Sequence, residues 1–89
     1  MTRDEIVTKV LSIFRKEFEI ENPGLDDDLR AKHGFDSIDA IELLLNIEEM
    51  LGSELTQEEK KRAMDIRTID DICDYIETLA KARPELQNQ

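Results

Sequence analysis

Residues 36–44, with the sequence DSIDAIELL, place one serine at the start of an acidic, amphipathic helix. Asp36 is a good N-cap, because its carboxylate accepts from exposed backbone N–H groups, and Asp39 can reach back as in a capping box. Ser37 then takes the first helical position, where its side chain points away from the packed turns. This arrangement suits a serine that is modified better than one that catalyses, although serine is also common as a plain helix-start residue.

Hydrophobic periodicity along the chain predicts an all-α fold with three strong helices and a weaker, short one. The strong patterns lie near residues 3–18, from 37 to about 51, and from 69 to a point before Pro84. The weak pattern follows Thr56, which has a glutamate three residues later as in a capping box. Gly52 is placed to end the second strong helix.

The three strong helices supply the residues expected in the core. These are Ile6, Val7, Val10, Leu11, Phe14 and Phe18 in the first, Ile38, Ile41, Leu44, Leu45, Ile47 and Leu51 in the second, and Ile69, Ile72, Cys73, Ile76, Leu79 and Ala80 in the last. The apolar face of the second helix is unusually wide, so this helix is expected to be central.

Residues 19–36 lack clear periodicity and contain Pro23 followed by Gly24, which predicts a long loop between the first two long helices. Long loops in compact domains need a structural reason. Ile20, Leu25, Leu29 and Phe35 are expected to pin this loop across one end of the bundle.

Length and charge limit the function. The 89 residues are enough for one small domain, predicted over residues 1–83 with a polar tail at 84–89. The balance of 12 basic and 22 acidic residues gives a net charge of −10, which argues against nucleic acid or anionic membrane as a partner. Basic protein surfaces are the natural complement.

The expected location is the cytoplasm. One cysteine cannot form an intrachain disulfide, and no apolar run approaches the length of a membrane span. The chain starts in a charged helix without an apolar targeting segment. We expect a monomer without stable membrane insertion.

The stretch at 36–44 resembles the prosthetic-group attachment site of acyl carrier proteins, whose pattern is Asp-Ser-Leu-Asp followed by apolar residues interleaved with acids. The order of helices also resembles that family across nearly the whole chain. The resemblance implies a small acyl-carrier-like bundle of three main helices plus a short third helix, with a long loop between helices 1 and 2. Two departures are Ile38 in place of the usual leucine and a longer segment at residues 55–69.

The resemblance also implies a function as a carrier without catalytic residues of its own. A phosphopantetheinyl transferase would use coenzyme A and Mg²⁺ to attach 4′-phosphopantetheine to Ser37, with Asp36 helping to coordinate the Mg²⁺. The terminal thiol of the arm would hold acyl groups as thioesters. Acyl-transferring and chain-elongating enzymes of fatty acid, polyketide or related lipid biosynthesis would receive them, and no metal need remain bound.

An acyl chain sheltered between helices would need an apolar interior. Helical spacing nominates Ile41, Leu45, Ile66, Ile69 and Ile76 as its lining. Ordinary core packing is the competing and more common role for such residues.

An uninterrupted acidic run follows the serine. Between Asp36 and Glu59 there are eight acidic residues and no Lys or Arg. Such a run steers basic partners and makes their encounter sensitive to salt. Asp39, Glu42, Glu48 and Glu49 are the expected partner-binding acids.

Two other functions remain open. Carriers of aminoacyl or peptidyl groups share the fold and the serine, but they tend to be less acidic around the second helix. The other possibility is an acidic helical adaptor that is never modified, against which the intact motif at Ser37 counts.

Three further features have simpler interpretations. The aspartates at 26–28 lack the spacing of a Ca²⁺ loop and are expected to form a solvated turn. Cys73 is expected to be a buried small hydrophobe, since reactive cysteines need an exposed, electropositive setting. His33 lacks the context of a hydrolase and is expected to be a loop residue.

Overall fold

The computed structural model describes residues 1–83, and its secondary structure is entirely helical. Its elements are α1 (Arg3–Phe18), α2 (Leu29–His33), α3 (Ser37–Leu51), α4 (Gln57–Arg62), a 3₁₀ turn (Ala63–Asp65) and α5 (Ile69–Lys81). The predicted bundle of three long helices with a short helix before the last is confirmed. The predicted tail at residues 84–89 lies outside the described part of the chain.

Reciprocal capping boxes start four of the helices. The pairs are Thr2 with Glu5, Asp36 with Asp39, Thr56 with Glu59 and Thr68 with Asp71. In each pair the two side chains satisfy each other's backbone N–H groups, so two of the unpaired donors of the helix start are bonded locally. These contacts span three residues, which is why the sequence alone predicted the helix starts.

The core is mainly aliphatic and lies between α1, α3 and α5. Its helical members are Ile6, Val10 and Phe14 of α1, Leu43, Ile47 and Leu51 of α3, and Ile69, Ile72, Cys73, Tyr75, Ile76 and Leu79 of α5. Burial of this apolar surface is the main driving force of folding. The predicted burial of Cys73 is confirmed.

The outer face of α3 is where the core prediction is wrong. Ile38, Ile41 and Leu45 have exposed fractions of 74%, 63% and 57%. Apolar residues occur around more than one side of this helix, and the bundle covers only the side that carries Leu43 and Ile47. Periodicity measures the width of an apolar face but does not say which part of it a neighbouring element covers.

The long connection contains a short helix that the sequence analysis missed. Asp28 caps α2 by accepting from the Ala31 N–H at 2.9 Å, and Gly34 ends it with φ 68°. The left-handed conformation at Gly34 favours glycine over any residue with a Cβ. Five residues are too few for helical periodicity to be visible in the sequence.

Backbone hydrogen bonds hold the connection against the start of α5. The Leu29 N–H donates to the Arg67 carbonyl at 2.9 Å, and the Asp70 N–H donates to the Leu25 carbonyl at 3.0 Å. Leu29 and Phe35 are buried as predicted, whereas the Leu25 side chain is 39% exposed. Leu25 therefore pins the connection through its carbonyl, not through its side chain. No helix within residues 1–83 is both long enough and apolar enough to cross a membrane.

Candidate functional site

Ser37 is exposed at the first position of α3. The Asp36 Oδ1 atom accepts from the Asp39 N–H at 2.9 Å, and the Asp39 Oδ2 atom accepts from the Asp36 N–H at 3.0 Å. This reciprocal cap determines the backbone direction on both sides of the serine. The hydroxyl is therefore presented to solvent by a helix start whose own donors are satisfied by its neighbours.

Phe35 anchors the turn before the serine. Its ring stacks on Phe14 with centroids 5.4 Å apart and meets Phe18 edge-on, also at 5.4 Å. Its N–H donates to the Leu29 carbonyl at 3.1 Å. Such aromatic pairs add about 0.5–1.5 kcal/mol each beyond their area burial. Ser37 thus follows a buried anchor by two residues and has a well-defined position.

Asp36 is ionised near neutral pH. The hydrogen bond from the Asp39 N–H lowers the pKa of Asp36, and the positive charge of Arg30 adds a smaller effect in the same direction. An ionised carboxylate beside the serine can help to bind a divalent cation. Within residues 1–83, no group of three or more His, Cys, Asp or Glu side chains is arranged to hold a metal ion.

A groove of about 480 Å³ lies beside the serine, between α2, α3 and the 3₁₀ turn. Its large apolar lining residues are Leu29, Phe35, Leu43, Leu44, Met64 and Ile66, and Asp36 and Ser37 also line it. An apolar groove next to the serine can keep a hydrocarbon chain away from water.

The predicted lining of the interior is mostly wrong. Of the five nominated residues, Ile66 lines the groove. Ile69 and Ile76 are fully buried in the core, as the competing interpretation expected, and Ile41 and Leu45 are exposed. The groove is lined instead by the side of α3 that carries Leu43 and Leu44, because this side faces α2 and the 3₁₀ turn.

Ile38, Ile41 and Leu45 form an apolar stripe along the outer face of α3, starting one residue after the serine. Their spacing of three and four residues places them on one side of the helix. Exposed apolar surface of this kind marks interaction sites. One feature of the sequence indicates this stripe, since α3 has more apolar residues than a single covered face can bury.

The four predicted partner-binding acids have different environments. Asp39 belongs to the capping box, and Glu48 is half-buried with its carboxylate accepting from the Leu55 N–H at 2.8 Å. Glu42 and Glu49 are exposed on the same side of α3 as the apolar stripe. The latter two carboxylates are therefore the better placed to meet a partner.

The aspartate cluster forms a turn, as predicted, in which Asp26 and Asp28 are exposed and Asp27 is half-buried. The Asp27 carboxylate accepts from the Gly24 N–H at 2.8 Å and lies 3.0 Å from His33 Nε2. These two contacts lower the pKa of Asp27 to about 2. His33 was expected to be a loop residue but is the last residue of α2, and through Asp27 it helps to shape the connection before the serine.

Cys73 has a thiol that favours the protonated form. Burial raises its pKa to about 11. Since the thiolate is the reactive form of cysteine, this side chain is inert near neutral pH.

Comparison with known proteins agrees with this geometry. The sequence family described as "Phosphopantetheine attachment site" matches residues 8–76. The chain belongs to this family. It is 32% identical to "Acyl carrier protein 2" of Ralstonia nicotianae over 84 residues, which cover 92% of this chain and 100% of that relative.

Two further relatives have related names. The chain is 26% identical to "Acyl carrier protein" of Lactobacillus johnsonii, covering 88% of this chain and 96% of the relative. It is 29% identical to "Acyl carrier protein" of Thermosynechococcus vestitus, covering 85% and 93%. The protein is accordingly an acyl carrier with covalently bound 4′-phosphopantetheine, and it is a carrier, not an enzyme.

Proposed function

We propose that 4′-phosphopantetheine is attached to the Ser37 hydroxyl and that the arm delivers acyl thioesters to enzymes of fatty acid, polyketide or related lipid biosynthesis. The observation that carries the site is the exposed serine at the capped start of α3. When bound, the group supplies a flexible arm whose thiol keeps an acyl carbon activated. The Ser37 hydroxyl oxygen would lose its proton to the transferase and bond to the phosphorus next to the pantetheine of coenzyme A, while the pyrophosphate P–O bond of coenzyme A breaks and adenosine 3′,5′-bisphosphate leaves.

Asp36 has two roles in this proposal. It caps α3, and its ionised carboxylate helps to hold the Mg²⁺ ion that accompanies coenzyme A during the transfer. The lowered pKa of Asp36 supports the second role, because the carboxylate needs no deprotonation to meet a cation. The chain offers no complete metal site within residues 1–83, so the remaining ligands would come from the transferase, coenzyme A and water.

The groove beside the serine would shelter the acyl chain between visits to enzymes. Its apolar lining is formed by α2, α3 and the 3₁₀ turn, and Ser37 is part of the same surface. An acyl chain turned back from the arm would exchange water for aliphatic contacts there, a gain of about 0.8 kcal/mol per fully buried methylene.

Partner enzymes would meet the outer face of α3. The apolar stripe gives contact area next to the serine, and the exposed carboxylates of Glu42 and Glu49 border it. A phosphopantetheinyl transferase or an acyl-handling enzyme would match this face with an apolar depression and a basic rim. Asp39 and Glu48 would contribute mainly through the helix geometry that they maintain.

We also propose a cytoplasmic location and a monomeric state. The single cysteine, which is buried, supports a reducing compartment. The net charge of −10 supports a monomer, because two such chains repel each other.

Intact mass spectrometry tests the site. We expect the wild-type protein and the control variant Ser12→Ala to gain one phosphopantetheinyl group with coenzyme A, Mg²⁺ and a broad-specificity transferase. Ser37→Ala should gain none, while its free energy of unfolding changes by less than about 0.5 kcal/mol, as is usual for an exposed position. A folded wild type that several transferases leave unmodified would overturn the proposal and favour an unmodified adaptor. If the arm of the modified protein accepts its cargo from aminoacyl-transferring enzymes alone, the function as an aminoacyl carrier would be favoured.

A further inference from the structure

The wall of the groove that contains the 3₁₀ turn has little apolar attachment to the rest of the bundle. Within α4, all of which the structure describes, the buried residue is Glu59, and the 3₁₀ turn that follows has no buried residue. The 3₁₀ turn nevertheless supplies Ala63 and Met64 to the groove, and Ile66 directly after it lines the groove too, whereas no residue of α4 does. Its apolar attachment is limited to the partly buried Ala63 and Ile66, so polar contacts have a larger share in holding this wall in position.

Arg83, two residues beyond α5, supplies that interaction. All five N–H donors of its guanidinium are used, and the residue is buried with 8% exposed. Nε donates to Ser53 Oγ at 2.9 Å, Nη1 to Glu59 Oε2 and the Leu79 carbonyl at 2.9 Å each, and Nη2 to Glu59 Oε1 at 2.8 Å and the Glu54 carbonyl at 3.0 Å. The pair with Glu59 is bidentate, a geometry that restricts orientation as well as distance.

Glu59 is also joined to α5 itself, through its backbone. The Tyr75 hydroxyl donates to the Glu59 carbonyl at 2.7 Å. The Arg83 guanidinium holds the pKa of Glu59 down to about 2. The carboxylate therefore stays ionised at working pH, and the first turn of α4 is bonded by a side chain to Arg83, just beyond α5, and by its main chain to Tyr75 of α5.

We propose that Arg83 and Glu59 form a clasp that positions α4 and, through it, the 3₁₀ wall of the groove, and thereby sets how far the groove opens, a role that rests on the proposed function of the groove. The clasp fixes the first turn of α4. The 3₁₀ turn, directly after α4, carries Met64 with 77% exposed and no buried residue. Movement of the wall would pivot about the clasp, and the 3₁₀ turn would swing away from α3 to admit a chain.

Amide hydrogen exchange on the unmodified protein separates this role from a general contribution to stability. Arg83→Met removes the clasp. Arg83→Lys keeps the positive charge but lacks the planar guanidinium that bonds both carboxylate oxygens of Glu59. The matched control is Arg3→Met, which removes another arginine bound to α5, through Asp74 at 2.7 Å and through Glu77. We expect exchange across residues 63–67 to accelerate about tenfold in Arg83→Met. Arg3→Met should leave this segment unchanged.

Two outcomes would overturn the clasp. Unchanged exchange across residues 63–67 in a folded Arg83→Met protein would mean that other contacts hold the wall. An equal acceleration of the amides of α1, α5 and the 3₁₀ turn would mean that the pair acts only on global stability. If Arg83→Met does not fold, the same comparison is made with Arg83→Lys, and the same two outcomes decide.

A second measurement tests how well the groove shelters an acyl chain. We expect an octanoyl thioester on the loaded protein to react with hydroxylamine several-fold faster in Arg83→Lys than in the wild type, because the wall shelters it less. Equal rates would contradict an effect on the groove. Failure to load the wild-type protein would overturn the proposed function instead, and the exchange experiment, which needs no prosthetic group, would still decide the clasp.

Discussion

Ser37 owes its exposure and its orientation to its neighbours. Asp36 and Asp39 close the capping box on either side of it, and the ring of Phe35 is buried against Phe14 and Phe18. The box could be predicted from sequence, because its partners are three residues apart. The ring cluster could not, because Phe14 and Phe35 meet only when α1 and the connection are folded together.

The two roles of Asp36 can be separated by a pair of variants. Asp36→Ala should destabilise the protein by about 1 kcal/mol, the usual cost of losing an N-cap oxygen, and Asp36→Ser should retain most of this stability. Both should slow Mg²⁺-dependent loading by at least about tenfold, equal to about 1.4 kcal/mol in the barrier, because both lack the carboxylate. Urea unfolding and initial rates of mass gain measure the two effects. If Asp36→Ser is loaded at the wild-type rate, the carboxylate acts only as a cap.

At the scale of elements, α3 has two apolar sides with different purposes. Leu43 and Ile47 are buried, whereas Ile41 and Leu45 are exposed. Sequence periodicity predicted the helix and its bounds, but it assigned Ile41 and Leu45 to the core together with Ile47 and left out Leu43. What decides between the two sides is the position of α1, α5 and α2, and this depends on contacts between residues far apart in the chain. The clasp was missed for the same reason, since Arg83 is far from Glu59 in sequence.

Truncation of one leucine on each side tests this difference. Leu43→Ala should lower the free energy of unfolding by about 2–5 kcal/mol, as for other buried leucines. Leu45→Ala should change it by less than about 0.5 kcal/mol. It should also raise the KM of a phosphopantetheinyl transferase about tenfold, since it removes apolar contact area from a docking surface. Equal destabilisation by the two variants, measured by urea unfolding, would contradict the exposure of Leu45; an unchanged KM would remove the apolar stripe from partner binding.

For the whole molecule, the net charge opposes folding but favours the encounter with basic partners. The net charge of −10 destabilises the compact state by self-repulsion and attracts basic partners at long range. Added salt screens both effects, with a Debye length that falls from about 30 Å at 0.01 M to about 3 Å at 1 M.

We therefore expect salt to raise the unfolding temperature and to slow loading by a basic transferase. Glu42→Lys combined with Glu49→Lys should reduce the loading rate at low salt and flatten its salt dependence, because both charges border the docking face. Glu21→Lys with Asp26→Lys changes the net charge equally but in the connection, and should retain more of the salt dependence. Similar kinetics for the two double variants would assign steering to net charge and not to the face of α3.

The burial of Cys73 also bears on chemical selectivity. The polypeptide has one sulfhydryl, which is enclosed by the core and stays protonated. On the loaded carrier, the thiol of the arm is consequently the one that electrophiles reach, and cargo cannot migrate to the protein itself by transthioesterification. A maleimide dye added to folded, unacylated protein would thus label the prosthetic arm stoichiometrically and count the fraction of chains that carries it.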